Sequence, residues 1–172
     1  MPKPSIALIG YRGTGKTTVA QALARQLGFD WIDADVELEL RAGKSIAAIF
    51  EASGEVAFRD LEAQAVAELC QRERTVLALG GGAVLRESSR ECLASCQQVV
   101  WLKASAAVIA ARLEGDPTTA GRRPNLTNRG GLHEIEQMLA QREPIYRACA
   151  TLEVDTEDKD PAEIADEIVA SL

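Results

Sequence analysis

Residues that commonly hold structural metals are scarce in this sequence, which has one histidine and four cysteines among its 172 residues. Cys92 and Cys96 lie four residues apart on a predicted helix, but a zinc site would need two further ligands close by. The lone histidine, His133, is interpreted as a helix surface residue. We expect Cys70, Cys92, Cys96 and Cys149 to be free thiols, as in most proteins of a reducing cytosol.

Long hydrophobic runs and an excess of positive charge are also absent. No stretch of about 18 apolar residues occurs, so no transmembrane helix is expected. The N-terminus lacks the apolar stretch of a signal peptide, and we expect a cytoplasmic protein, monomeric and without a membrane partner. With 19 basic and 26 acidic residues the formal net charge is −7, which argues against nucleic acid as a partner. A small anionic ligand would need only a local basic cluster.

Apolar, strand-like runs alternate with helical stretches along the whole chain. This alternation predicts a single α/β domain over residues 1–172, with a five-stranded parallel sheet in a three-layer α/β/α arrangement. Trp31 and Trp101 fall within two predicted strands and are expected in the core. The predicted strands are residues 5–9, 29–32, 75–79, 99–102 and 151–154.

Residues 114–131 differ from their surroundings, because glycine and proline recur there and apolar residues are few. A loop of this length within a compact domain is usually functional, and we predict a mobile lid. In the helix predicted at 132–148, Pro144 implies a break or a kink. Pro161 is expected to open the final helix.

A glycine-rich segment directly follows the first predicted strand. Residues 10–17 read GYRGTGKT and match G-x-x-x-x-G-K-[ST] at every specified position, between a strand and a helix. Such a loop turns backbone N–H groups toward phosphate oxygens, so it predicts an ATP site in which Lys16 contacts phosphate and Thr17 binds Mg²⁺. Arg12 is expected to point to solvent. The predicted nucleotide-binding residues of this loop are Gly13, Thr14, Gly15, Lys16, Thr17 and Thr18.

Three further patterns lie where an acceptor could bind. Asp33 and Asp35 lie at the end of the second predicted strand, and residues two apart on a strand point to the same side. The carboxyl ends of the strands form the crevice where ligands bind. The two aspartates could hold Mg²⁺ and take a proton from a hydroxyl group, or equally cap a helix or lie in an exposed turn. Arg59 and Glu62 can pair on a helix, with an ordinary surface salt bridge as the simpler interpretation. Glycines 80–82 favour close approach to a ligand or a flexible turn.

These patterns together resemble the shikimate kinase family, within the nucleoside-monophosphate-kinase-like group of P-loop proteins. The resemblance covers essentially the whole chain, with the motifs in the family's order. It implies Mg²⁺-dependent transfer of the ATP γ-phosphate to the 3-hydroxyl of shikimate, in aromatic amino acid biosynthesis. The motifs are the phosphate loop at 10–17, D-x-D at 33–35, F-R-x-x-E at 58–62, G-G-G at 80–82, R-P at 123–124, R-x-P-x-Y at 142–146 and an adenine loop at 156–161.

The resemblance also implies roles on the acceptor side, within a helical region of about residues 33–62 and beyond it. Asp35 would bind ring hydroxyls and orient or deprotonate the attacking one, while Asp33 would reach Mg²⁺. Arg59 and Arg142 would hold the shikimate carboxylate, with Glu62 positioning Arg59.

Further roles follow from the same resemblance. Gly81 and Gly82 would offer backbone contacts to the substrate, and Lys159 would lie in the adenine loop. Arg123 is the implied lid arginine, catalytic together with Lys16 and Asp35, and is preferred over Arg122 because it precedes the proline.

Two other functions fit part of the sequence. A related small kinase, acting on gluconate or a nucleoside monophosphate, would share the phosphate loop, the fold and the lid. A nucleotide-binding module without kinase activity would share the loop alone, but it would not require the acceptor-side residues.

Overall fold

The structure, a computed structural model, describes residues 4–115 and 131–172. Five strands form one parallel sheet in the order β2-β3-β1-β4-β5, so the predicted three-layer α/β/α fold is confirmed. The strands are β1 (Ile6–Ile9), β2 (Asp30–Asp33), β3 (Thr75–Ala78), β4 (Gln98–Lys103) and β5 (Leu152–Asp155). The helices within the described ranges are α1 (Lys16–Leu27), α2 (Ala34–Ala42), α3 (Ile46–Leu69), α4 (Glu87–Leu93), α5 (Ala106–Glu114), α6 (Leu132–Cys149) and α7 (Pro161–Ala170).

Two apolar cores lie on opposite faces of the sheet, because successive side chains of a strand point in opposite directions. From β1, Ile6 and Leu8 pack against α1 and α7, whereas Ala7 and Ile9 pack against α3, α4 and α6. All four side chains are at most 1% exposed, so truncating Leu8 to alanine would cost about 2–5 kcal/mol of stability. The central strand is therefore held rigidly from both sides.

Helix ends follow the local sequence in most places. Gly28 terminates α1 with a left-handed φ of 66°, a conformation that a glycine adopts without a Cβ penalty. Pro161 opens α7 after Asp160, whose side chain forms a capping box with Glu163. Of the break or kink expected at Pro144, the break is wrong, because α6 continues through the proline from Leu132 to Cys149.

Two expectations from the sequence are wrong: the burial of Trp31 and a helix shared by Cys92 and Cys96. Trp101 is 2% exposed as predicted, but Trp31 is 41% exposed. The reason is that β2 is an edge strand, so one of its sides has no neighbouring strand. Cys96 does not share a helix with Cys92, because α4 ends at Leu93.

The cysteines are free thiols, as predicted. Cys96 Sγ lies 3.9 Å from Cys70 Sγ and 3.3 Å from Ser5 Oγ. The hydrogen bond with the Cys70 thiol, and then the one with the Ser5 hydroxyl, lower the pKa of Cys96 to about 7. The same thiol contact and burial raise the pKa of Cys70. Ser5 precedes β1, so the Cys70–Cys96 pair lies near the N-terminal end of that strand, and the glycine-rich loop follows its C-terminal end.

Candidate active site

The glycine-rich loop leaves β1 and enters α1 through left-handed glycines. Gly13 and Gly15 have φ of 81° and 89°, where a residue with a Cβ would be strained. Lys16 Nζ crosses the loop and donates to the carbonyl oxygens of Gly10 at 2.7 Å and Tyr11 at 2.9 Å. Thr14 Oγ1 donates to the Tyr11 carbonyl at 2.8 Å. The loop therefore holds the lysine ammonium group beside the N-terminus of α1, where phosphate is favoured.

A hydroxyl and a carboxylate meet beside the loop. Thr17 Oγ1 donates to Asp33 Oδ2 at 2.9 Å, which joins α1 to the end of β2. Asp33 Oδ1 accepts from the backbone N–H groups of Asp35 at 2.9 Å and Val36 at 3.2 Å, so Asp33 also caps α2. Hard oxygen donors of this kind suit Mg²⁺. The residues present therefore fit a magnesium site at Thr17 and Asp33.

Asp35 lies elsewhere than the strand pattern implied. It belongs to the first turn of α2, because the strand ends at Asp33. The same-side argument from strand alternation is therefore wrong, and the helix-cap alternative is correct for Asp33. Asp35 is half-buried and lies two residues after the candidate metal ligand Asp33 along the chain.

A buried ion pair occupies the acceptor side. Arg59 and Glu62, on α3, are 7% and 5% exposed, and their Nη1 and Oε1 atoms are 2.7 Å apart. A surface salt bridge is therefore the wrong interpretation. Glu55 Oε1 lies 3.6 Å from Arg59 Nη2, while the buried Nε has no hydrogen-bond partner among the described residues. Nε of Arg59 is therefore available to donate to a ligand. A buried donor without an acceptor is unfavourable, so a bound ligand would relieve this cost.

The three consecutive glycines pack against two arginines. A Cβ added to Gly82 would lie 2.3 Å from Arg59 Nη1, and one added to Gly81 would lie 3.4 Å from Arg142 Nη1. Arg142, on α6, is only 5% exposed. The hydroxyl group of Tyr146 donates to the carbonyl oxygen of Gly81 and holds this segment in place. The glycines are buried and lead into a turn that is closely packed against these arginines.

The phosphate loop borders this acceptor side directly. The backbone nitrogen of Arg12 would lie 3.3 Å from a Cβ on Gly81. Arg12, predicted to point to solvent, is half-buried, and its Cζ lies 5.9 Å from the centroid of the Tyr11 ring. His133 is exposed, as predicted. Arg122 and Arg123 lie outside the described residues, as does most of the predicted lid.

One contact on the nucleotide side was missed by the sequence analysis. Arg112, on α5, donates to the Gly13 carbonyl at 3.2 Å and to Thr156 Oγ1 and O at 3.0 and 3.3 Å. It links the phosphate loop to the segment after β5. Lys159, in the same segment, donates to Glu167 at 2.9 Å, a hydrogen bond that raises the pKa of the lysine. An arginine in an alanine-rich helix carried no signal of this contact.

Comparison with known proteins identifies the family. A family model described as shikimate kinase matches residues 12–172. The chain belongs to the shikimate kinase family. A shikimate kinase of Rhodopirellula baltica is 46% identical over 162 residues, covering 94% of this chain and 87% of that protein. The structure of a shikimate kinase from Acinetobacter baumannii in complex with shikimate has a TM-score of 0.91 and 34% identity, covering 98% of this chain and 92% of that one.

Membership of the shikimate kinase family establishes an ATP-dependent small-molecule kinase that uses Mg²⁺. A gluconokinase from Sinorhizobium meliloti has a TM-score of 0.63 at 22% identity, covering 97% of this chain and 90% of that one, a likeness in fold alone. In the two described ranges, no helix has the length and apolar character needed to cross a membrane.

Proposed function

We propose that this chain transfers the γ-phosphate of ATP to the 3-hydroxyl of shikimate, with the acceptor bound beside the triple glycine and the phosphate loop. The observation that carries the proposal is the pair of buried guanidinium groups, Arg59 and Arg142, packed against Gly82 and Gly81. Two such groups packed against consecutive glycines suit a small carboxylic acid, because guanidinium forks bind carboxylates in a fixed geometry. The carboxylate of gluconate and the phosphate of a nucleotide also bind guanidinium groups, so the choice of shikimate rests on membership of the shikimate kinase family.

Arg59 and Arg142 bind the shikimate carboxylate in this proposal. Glu62 holds Arg59 through the 2.7 Å ion pair, which leaves the buried Nε directed to other partners. Losing Glu62 would release a side chain with several rotatable bonds, and catalysis is sensitive to misplacements of about 1 Å. The backbone of Gly81 and Gly82 contacts the substrate between the two arginines.

Asp35 accepts a hydrogen bond, and then the proton, from the attacking 3-hydroxyl group. Its place at the N-terminus of α2, after Asp33, puts a carboxylate beside the magnesium ligand without making it one. Positioned general bases contribute about 10²–10⁴-fold to rate. The hydroxyl group then attacks the γ-phosphorus in line with the departing ADP oxygen.

Positive charge stabilises the transferring phosphoryl group. Lys16 lies at the loop, Thr17 and Asp33 hold Mg²⁺, and Arg123 approaches from the predicted lid, residues 114–131. Mg²⁺ held there would neutralise charge on the phosphate oxygens. Closure of a lid would exclude water, which otherwise competes with the hydroxyl group as acceptor. Lys159 contributes to binding the adenine end.

The test is ADP release measured with shikimate, gluconate, AMP and CMP as acceptors. Release stimulated by shikimate alone is expected, and no stimulation by shikimate would refute the proposal. Arg142→Ala should raise the KM for shikimate at least about tenfold, since a charge-assisted pair is lost. Arg147→Ala, on the same helix but at an exposed position paired with Glu153, is the matched control and should leave that KM unchanged. Equal effects of both variants would remove Arg142 from the site.

A further inference from the structure

Tyr11 occupies an unspecified position of the phosphate-loop pattern, yet it is only 3% exposed. Its carbonyl oxygen accepts hydrogen bonds from Lys16 and Thr14, which any residue at this position could provide. The aromatic ring is therefore unexplained by phosphate binding. Its surroundings connect it with the acceptor side of the site.

The ring lies against a buried cation. Arg142 Cζ is 5.8 Å from the centroid of the Tyr11 ring, within the range of a cation–π interaction. Among residues 4–115 and 131–172, none forms a hydrogen bond or an ion pair with the Arg142 guanidinium group, although Arg142 is only 5% exposed. Among the described contacts the ring of Tyr11 is thus its attractive partner in the absence of a ligand.

A second cation shares the ring. Arg12 Cζ is 5.9 Å from the same centroid, so two guanidinium groups lie close to one aromatic side chain. Like charges repel, and the negative ring face offsets part of this repulsion. An aliphatic side chain of similar size would fill the space but would not attract either arginine.

The ring is itself fixed by an apolar cluster. Tyr11 packs with Ile109 of α5 and with Ile135 and Leu139 of α6. Arg142 lies one turn beyond Leu139 on the same helix, so the ring joins the phosphate loop to the helix that carries the arginine. Both helices flank residues 116–130.

We infer that Tyr11 is a positioning residue, which holds the Arg142 guanidinium group in the orientation that binds the acceptor carboxylate. The inference rests on the proposed role of Arg142 in binding that carboxylate. Its consequence is selective: replacing the ring disturbs acceptor binding, while the backbone contacts that position Lys16 remain. The phosphate loop then serves both substrates, ATP through its backbone and the acceptor through one side chain.

The experiment measures KM for shikimate, KM for ATP, kcat and Tm for single and double variants. Tyr11→Leu should raise the shikimate KM about fivefold and leave the ATP KM within about twofold, as expected from loss of one partly desolvated cation–π contact. Tyr11→Phe keeps the aromatic ring and should leave the shikimate KM close to that of the wild type. Ile135→Val, which trims the same cluster but keeps the ring, should lower Tm without changing the shikimate KM.

A double-mutant cycle with Arg142→Ala decides the mechanism. Tyr11→Leu should have no further effect on the shikimate KM when Arg142 is already absent, because the two residues act through one contact. Additive effects, or a Tyr11→Leu variant that weakens ATP and shikimate binding equally, would overturn the inference. If Arg142→Ala alone leaves the shikimate KM unchanged, the proposed carboxylate site fails instead, and the two failures are thereby distinguished.

Discussion

Replacing Gly82 with alanine is expected to displace Arg59 and impair acceptor binding. The added Cβ would lie 2.3 Å from Nη1 and 2.5 Å from both Cζ and Nη2 of the arginine. Ordinary contacts between nonbonded heavy atoms are about 3.5–4.0 Å, so the guanidinium group must move by more than about 1 Å. Gly82 does not have a positive φ, and the effect would therefore come from this contact and not from backbone strain.

The size of the effect depends on how freely Arg59 can move. Its side chain is 8% exposed and is paired with Glu62 at 2.7 Å, so a shift must stretch or break a buried ion pair. Overpacking of this kind costs about 1–3 kcal/mol of stability, and a misplacement of about 1 Å in a binding group can lower kcat/KM about 10²-fold. We expect a loss of this order in kcat/KM for shikimate.

Steady-state kinetics with each substrate varied in turn provide the assay. The KM for ATP should change less than about twofold, because the phosphate-loop contacts do not involve Gly82. Gly81→Ala is the graded control, since its Cβ would meet atoms at 3.3–3.5 Å and needs smaller adjustments. If Gly82→Ala retains wild-type kcat/KM for shikimate, or if Gly81→Ala is the more damaging change, close packing of Arg59 against the glycine is not required.

Three further changes test separate parts of the structure. Asp35→Asn should lower kcat by at least about 10²-fold with ATP affinity retained in a direct binding assay; a near-normal kcat would remove Asp35 from proton transfer. Asp33→Asn keeps a good helix cap but should raise the Mg²⁺ concentration for half-maximal activity about 10–100-fold, whereas Asp30→Asn, at an exposed position of the same strand, should not. Alkylation of Cys96 should accelerate with rising pH around a midpoint near the pKa of about 7, because Cys70 and Ser5 stabilise its thiolate, and protonation slows the reaction below that pH. A midpoint near 9, or a midpoint that Ser5→Ala leaves unchanged, would show that these hydrogen bonds do not control the thiol.

The fold was predictable because each buried strand is an apolar run bounded by a strong stop signal. β1 precedes the glycine-rich loop and β3 precedes the triple glycine, so their ends were evident. Trp31 was placed wrongly because a strand's apolar residues look alike at the edge and at the centre of a sheet. The order of the strands depends on contacts between segments distant along the chain, which a local pattern does not contain.

The candidate site was predictable where a residue type has few alternative uses. Lys16 and Thr17 follow from the phosphate-loop pattern, whereas Arg59 and Glu62 required the structure to distinguish a buried pair from a surface one. Arg112 contacts Gly13, which lies 99 residues away in the sequence, and Thr156, which lies 44 residues away. Such contacts depend on the packing of α5 against the loop, which local sequence does not encode.

The parallel pairing of β1 with β3 has a consequence for the distance between donor and acceptor. Leu8 is in register with Ala78, and the backbone nitrogen of Leu79 donates to the Leu8 carbonyl at 3.1 Å. Gly10 and Gly80 therefore leave the sheet at the same level. A slip of one residue would move one loop about 3.3 Å along the other and turn its side chains to the opposite face. The backbone hydrogen bonds between β1 and β3, both fully buried strands, therefore set how the two substrates are aligned.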